Sequence, residues 1–206
     1  PSQPPRSANY GWQTSEEMGD LWFQVLTTKS DRKALVADFA SKENLEQMHG
    51  LETQIETHPH DIDKRTALSA FYIKFNRLDD ARDQLEQGLR IAPRSSHALF
   101  NLGLVEERVG RTEVALDTYR RAVALDTFNG PAYNNLGLLL AREGRVAEGI
   151  EALRRATEVR DGYAEALGNL GRLLLSADQP RQAIATYYRA LEADPDMGIV
   201  HFNLAV

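Results

Sequence analysis

The chain has 206 residues, 42% of them hydrophobic and 26% charged, with a formal net charge of −6. That composition suits a folded chain of one or two domains, and its acidity leaves no electrostatic footprint for nucleic acid. No apolar run approaches the roughly 18 residues of a membrane span, and the absence of cysteine excludes disulfides and thiolate chemistry.

The chain opens at Pro1 without a charged n-region and an apolar h-region, so a signal peptide is absent or already removed. The missing initiator methionine is expected of a piece of a longer product. A soluble chain follows, either cytoplasmic or periplasmic and exported. Residues 1–14, beginning Pro1-Ser2-Gln3-Pro4-Pro5-Arg6, read as an extended or disordered segment and a candidate remnant of an upstream domain. Thr14 and Glu17 have capping-box spacing and open a helix that contains Leu21, Trp22 and Val25.

Residues 10–22, YGWQTSEEMGDLW, resemble the closing stretch of copper type II, ascorbate-dependent monooxygenase-like domains. The resemblance implies a copper-ligating role for a methionine at the place of Met18. That family's histidine ligands precede the methionine, and residues 1–17 contain no histidine. Met18 is therefore read as an apolar helix residue, and no metal is assigned. His58 and His60 follow Met18 and lie in a proline-containing loop, without the third and fourth ligands that a site needs.

Residues 15–61 are read as N-terminal helices, Ser30 to Ala40 and Ser41 to Thr57 forming two amphipathic ones. Pro59 lies 34 residues before Pro93, so 28–61 is either a degenerate unit of the repeat that follows or a cap.

From residue 62 a period of 34 residues governs the chain. It links Leu68, Leu102, Leu136, Leu170 and Leu204, and one position on, Ser69, Gly103, Gly137, Gly171 and Ala205. Farther along each unit it links Ala81, Ala115, Gly149 and Ala183, then Leu85, Tyr119, Leu153 and Tyr187. Small residues at i, i+3 and i+4 beside apolar ones describe a helix that a second helix approaches closely. Glycine there costs about 1 kcal/mol relative to alanine, which close approach justifies. Gly110 and Gly144 mark turns, and Asp178-Gln179-Pro180 starts a helix.

This period and residue set resemble the tetratricopeptide repeat family, whose unit is a helix–turn–helix. The resemblance implies an all-α chain, a right-handed α-solenoid of four units (62–95, 96–129, 130–163 and 164–197) with a truncated fifth from 198 to 206. Arg65 and Glu106 stand where the family usually has larger apolar groups.

Asn101, Asn135, Asn169 and Asn203 repeat at the same step. A turn of about 100° per residue moves them off the Leu–Gly seam. An amide has donors and an acceptor and can clasp either side of a peptide bond. The column resembles the asparagine ladder in the repeats of O-linked N-acetylglucosamine transferase, which implies holding of a substrate backbone along a concave groove. The alternative, that these amides bond neighbouring helices, stays open. Phe100, Leu104, Asn134, Leu138, Arg142 and Arg172 complete a mixed groove of modest positive character, with His97 and His201 nearby. Co-chaperones of the carboxylate-clamp type resemble this fold, but their cationic positions are held here by Thr66, Ala70, Asn101, Pro131 and Asn135. A terminal carboxylate would lack charge-assisted partners there.

No activated-serine, P-loop or H-E-x-x-H signature is present. Acidic pairs such as Asp79-Asp80 and Glu106-Glu107 read as solvated helix faces. The expectation is a non-enzymatic protein–protein interaction scaffold with no cofactor, binding a protein or peptide segment. One alternative is a docking or regulatory tail of a larger enzyme of copper monooxygenase-like type. Another is head-to-tail self-assembly through Phe202 and Leu204, which the chain leaves without a covering helix.

Overall fold

The computed structural model describes residues 29–205, with side chains from Lys42 to Leu204. The proline-rich start, the helix opening at Thr14 and the Met18 segment lie outside the described residues. All regular structure in the described residues is helical. In chain order the helices are α1 (Lys29–Thr57), α2 (Ile62–Lys74), α3 (Leu78–Ile91), α4 (Ser96–Val109) and α5 (Thr112–Leu125). They continue as α6 (Gly130–Arg142), α7 (Val146–Val159), α8 (Ala164–Ser176), α9 (Pro180–Ala193) and α10 (Gly198–Ala205).

The chain divides into two compact units, Pro1–His49 and Gly50–Val206. Where two helices were expected upstream, α1 is a single one of 29 residues. The physical reason lies at the supposed junction: Ala40-Ser41 contains neither proline nor glycine, and serine inside a helix costs only a few tenths of a kcal/mol (~0.5). The division of the chain comes nine residues later, inside α1, between His49 and Gly50.

In the second unit the helices pack as pairs, α2 with α3, α4 with α5, α6 with α7 and α8 with α9, each pair also meeting the next. This is an all-α solenoid of stacked helix pairs. Local chemistry sets the starts. Asp61 and Ser95 cap α2 and α4, accepting from the Lys64 and Ala98 amides at 3.0 and 3.3 Å. Asn129 caps α6 through Ala132 N at 3.0 Å, and Pro180 opens α9.

The turn inside each pair needs one left-handed residue, and it falls at the same step of 34. Gly110 and Gly144 have φ of 84° and 77°, while Asn76 and Asp178 fill the equivalent places at 59° and 55°. Asparagine and aspartate are the non-glycine residues that tolerate this region best.

The seam between paired helices explains the recurrent glycine. A Cβ on Gly103 would lie 2.5 Å from Tyr119 Cε1, and one on Gly137 2.8 Å from Leu153 Cγ. On Gly171 it would collide with the Tyr187 ring. Tyr119, Leu153 and Tyr187 are almost wholly buried. The α6–α7 pair is closest of all, because Gly149 replaces the alanine of the other units. Cβ atoms on Gly137 and Gly149 would each meet the other's carbonyl oxygen, at 2.9 and 2.8 Å.

Candidate functional site

The first helices of successive pairs, α4, α6, α8 and α10, carry the asparagine column. All four asparagines are half-buried. Their amides do not dangle: each bonds toward the preceding unit, in one of two ways. Asn203 Nδ2 donates to the Tyr187 hydroxyl at 3.0 Å. Asn135 faces the Tyr119 hydroxyl at the same offset and acts to lower its pKa, as a nearby donor does. Asn101 Nδ2 reaches Thr66 O and Ser69 Oγ, both at 3.4 Å, and Asn169 Nδ2 reaches Asn134 Oδ1 at 3.0 Å.

One residue, sixteen positions upstream, separates the two modes. It is tyrosine for Asn135 and Asn203, and its hydroxyl meets the amide. It is leucine (Leu85, Leu153) for Asn101 and Asn169, and the amide then turns to the first helix one unit back, 35 residues away.

Asn134, expected in the groove, is 1% exposed. It lies beneath that face, donating to Asn135 Oδ1 at 3.2 Å and accepting from Asn169. A buried amide must find partners, and these two satisfy both of its ends.

Cations use the same 35-residue reach. Arg108 Nη1 donates to Ile73 O at 2.8 Å, and Arg142 pairs with Glu107. Glu107 also accepts from the Tyr119 hydroxyl at 2.9 Å. Burial, then the Glu107 charge, pushes the Tyr119 pKa well above the usual phenol range.

The Glu106-Glu107 pair is thus not a solvated face. Glu106 is 3% exposed and is held by Arg82 Nε at 2.8 Å and Arg111 Nη1 at 3.4 Å. Two guanidiniums thereby offset the cost of burying that carboxylate. Arg65, the other departure from family pattern, is also buried, donating to Pro59 O at 2.9 Å and to Gln84 at 2.6 Å.

Of the expected groove residues, the structure brings Leu138, Arg142 and Arg172 together at a cleft of about 500 Å³. Ala141, Val146 and Leu173 supply the rest of its apolar lining, and Glu107 and Ser176 stand at its polar edge. Phe100 and Leu104 instead pack, half-buried, against the core around Leu99 and Leu136; the Phe100 ring lies 6.2 Å from that of Tyr119. His97 is exposed, and the His201 ring bonds Pro195 O at 2.9 Å.

Glu107 was missed by sequence reasoning. Its signal was available, since Glu107 and Arg142 form an opposite-charge pair at the offset of one unit plus one. Among the described residues no three histidine or carboxylate side chains gather as a metal site, and no helix is long and apolar enough to cross a membrane.

Two family models described as tetratricopeptide repeat match the chain, over residues 72–130 and 130–196. No curated protein sequence matches it. Among solved structures, MamA is 22% identical, with 83% of this chain and 97% of that chain covered and a TM-score of 0.64. YrrB, described as a TPR protein with an unusual peptide-binding site, is 20% identical over 85% of this chain and 90% of its own, with a TM-score of 0.63. A thermophilic TPR protein of Thermus thermophilus is 21% identical over 82% and 93%, with a TM-score of 0.65. At these identities the likeness is one of fold.

Proposed function

The chain belongs to the tetratricopeptide repeat family, and from that premise we propose that it is a non-enzymatic interaction scaffold. It holds an extended segment of a partner protein along the face built by α4, α6, α8 and α10. One observation carries the reading. Asn101 and Asn169 donate to the unit behind them, while their Oδ1 atoms accept nothing among the described residues at half-exposed positions.

An amide fixed through its N–H has lost its rotational freedom before a ligand arrives. Its acceptor is therefore pre-organised for a peptide N–H, and binding forfeits less entropy. The inter-unit bond and the peptide bond use opposite ends of one side chain, so structural and binding roles are compatible. The peptide-binding site named for YrrB supports the class of ligand.

Three steps between four first helices, at about 10 Å each, span about 30 Å, which an extended chain covers in about ten residues. The test is selection from a displayed library of random peptides of about that length, followed by affinity measurement on the double variant Asn101→Ala, Asn169→Ala. Two hydrogen bonds lost should weaken the selected peptide about tenfold. Melting temperature should fall as well, since each amide also joins two units. Unchanged affinity would contradict the proposal.

A further inference from the structure

The cleft between α6 and α8 has a charge pattern that the asparagine ladder does not explain. Its lining from Leu138, Ala141, Val146 and Leu173 is apolar, and its edge carries two guanidiniums. These are not equivalent. Arg142 is already matched to Glu107, whereas Arg172, exposed, makes no hydrogen bond or ion pair among the described residues.

No carboxylate of the three first helices pairs with it. On α4, α6 and α8 the acidic residues are Glu106, buried between two arginines, Glu107, held by Arg142 and Tyr119, and Glu165 in the first turn of α8. Arg172 lies two helical turns from Glu165, roughly 10 Å away. Arg108, on the same side of α4 as Arg142 is of α6, gives its bond to a neutral carbonyl and keeps its charge uncompensated. A chain of net charge −6 thus presents one unpaired guanidinium beside an apolar cleft whose other guanidinium is held by Glu107.

We propose that this cleft receives an acidic residue of the bound segment. Its carboxylate is bonded by Arg172, and an adjacent aliphatic side chain sits against Leu138, Ala141, Val146 and Leu173. The inference rests on the peptide-holding reading and narrows it to segments in which Asp or Glu neighbours Leu, Ile or Val. Arginine suits this task because its planar fork matches a carboxylate in bidentate geometry. A volume of about 500 Å³ is enough for one or two side chains. The terminal-carboxylate clamp needs several converging cations, whereas an internal acidic side chain needs one free guanidinium.

The experiment runs the same random peptide library against the wild-type chain, Arg172→Gln and Arg172→Glu. Arg172 is exposed, so all three should fold alike, checked by thermal melting. The wild type should enrich peptides with an acidic residue beside an aliphatic one. Arg172→Gln should bind those peptides about tenfold more weakly at low salt, and Arg172→Glu should enrich lysine or arginine at the same place. If wild type and Arg172→Glu enrich the same sequences, or no acidic preference emerges, the subsite is overturned while the peptide face stands. Failure of all three chains to enrich any peptide overturns the peptide face and the subsite together.

Discussion

Tyr119 shows how much one side chain can organise. Its ring fills the space left by Gly103, its hydroxyl donates to Glu107 at 2.9 Å, and Asn135 of the next unit faces that hydroxyl. Burial raises its pKa, as it does for Tyr163 and Tyr187, and pushes Tyr72 to about 12 with help from Glu52. The phenol is an acid whose folded pKa exceeds its unfolded value near 10. Its stabilising contribution is therefore complete below about pH 10 and is lost as pH rises through the folded values. Denaturant midpoints should stay level toward pH ~10 and then fall toward pH ~12, less steeply in Tyr119→Phe. A midpoint unchanged across that interval would contradict the burial of these phenols.

The asparagine column itself is visible in the sequence as a step of 34. Its partners are not, because they lie at offsets of 16 and 35. The choice between them depends on whether a tyrosine hydroxyl arrives first. Glu106 and Asn134 were misplaced for a related reason: a polar residue is assigned to solvent unless its buried partner is recognised, and Arg82 lies 24 residues away in the preceding unit.

At the scale of the helix pair, every unit solves the same two problems with different residues. The inner turn needs positive φ, met by Asn76, Gly110, Gly144 and Asp178. Only the two glycines announce themselves in the sequence; the other two are legible only once the register is known. The seam needs a small residue opposite a large one. Here the units differ in what would have to yield to a methyl group. At Gly103 the obstacle is the Tyr119 side chain, whereas at Gly137 it includes the Gly149 backbone carbonyl at 2.9 Å.

Gly137→Ala should therefore cost more than Gly103→Ala, with overpacking on the order of 1–3 kcal/mol only partly offset by better helix propensity. Equilibrium unfolding of the two variants decides it; equal losses would mean that α6 and α7 separate more readily than their contact implies. The α1 helix is the converse lesson. Its amphipathic pattern changes near Ser41, which suggests two helices, but a change of pattern without a breaker does not end hydrogen bonding.

Over the whole stack, the i to i−35 contacts add polar ties to the apolar packing that joins successive helix pairs. Asn101, Arg108, Arg142 and Asn169 each tie a first helix to the one before it. In a solenoid, stability is approximately a sum of unit terms and nearest-neighbour terms, so these ties belong to the second kind. Asn101, Arg142 and Asn169 also belong to the face proposed for the partner. Binding and cohesion are thereby linked: an extended segment that accepts from or donates to several units should stabilise the stack as it binds.

The most direct measurement is the side-chain amide spectrum of the asparagines, recorded by NMR as a library-selected peptide is titrated in. Shifts are expected at Asn101 and Asn169, with α4, α6 and α8 backbone signals moving beside them. Shifts confined to the second helices α5, α7 and α9, with the asparagine amides unmoved, would contradict it.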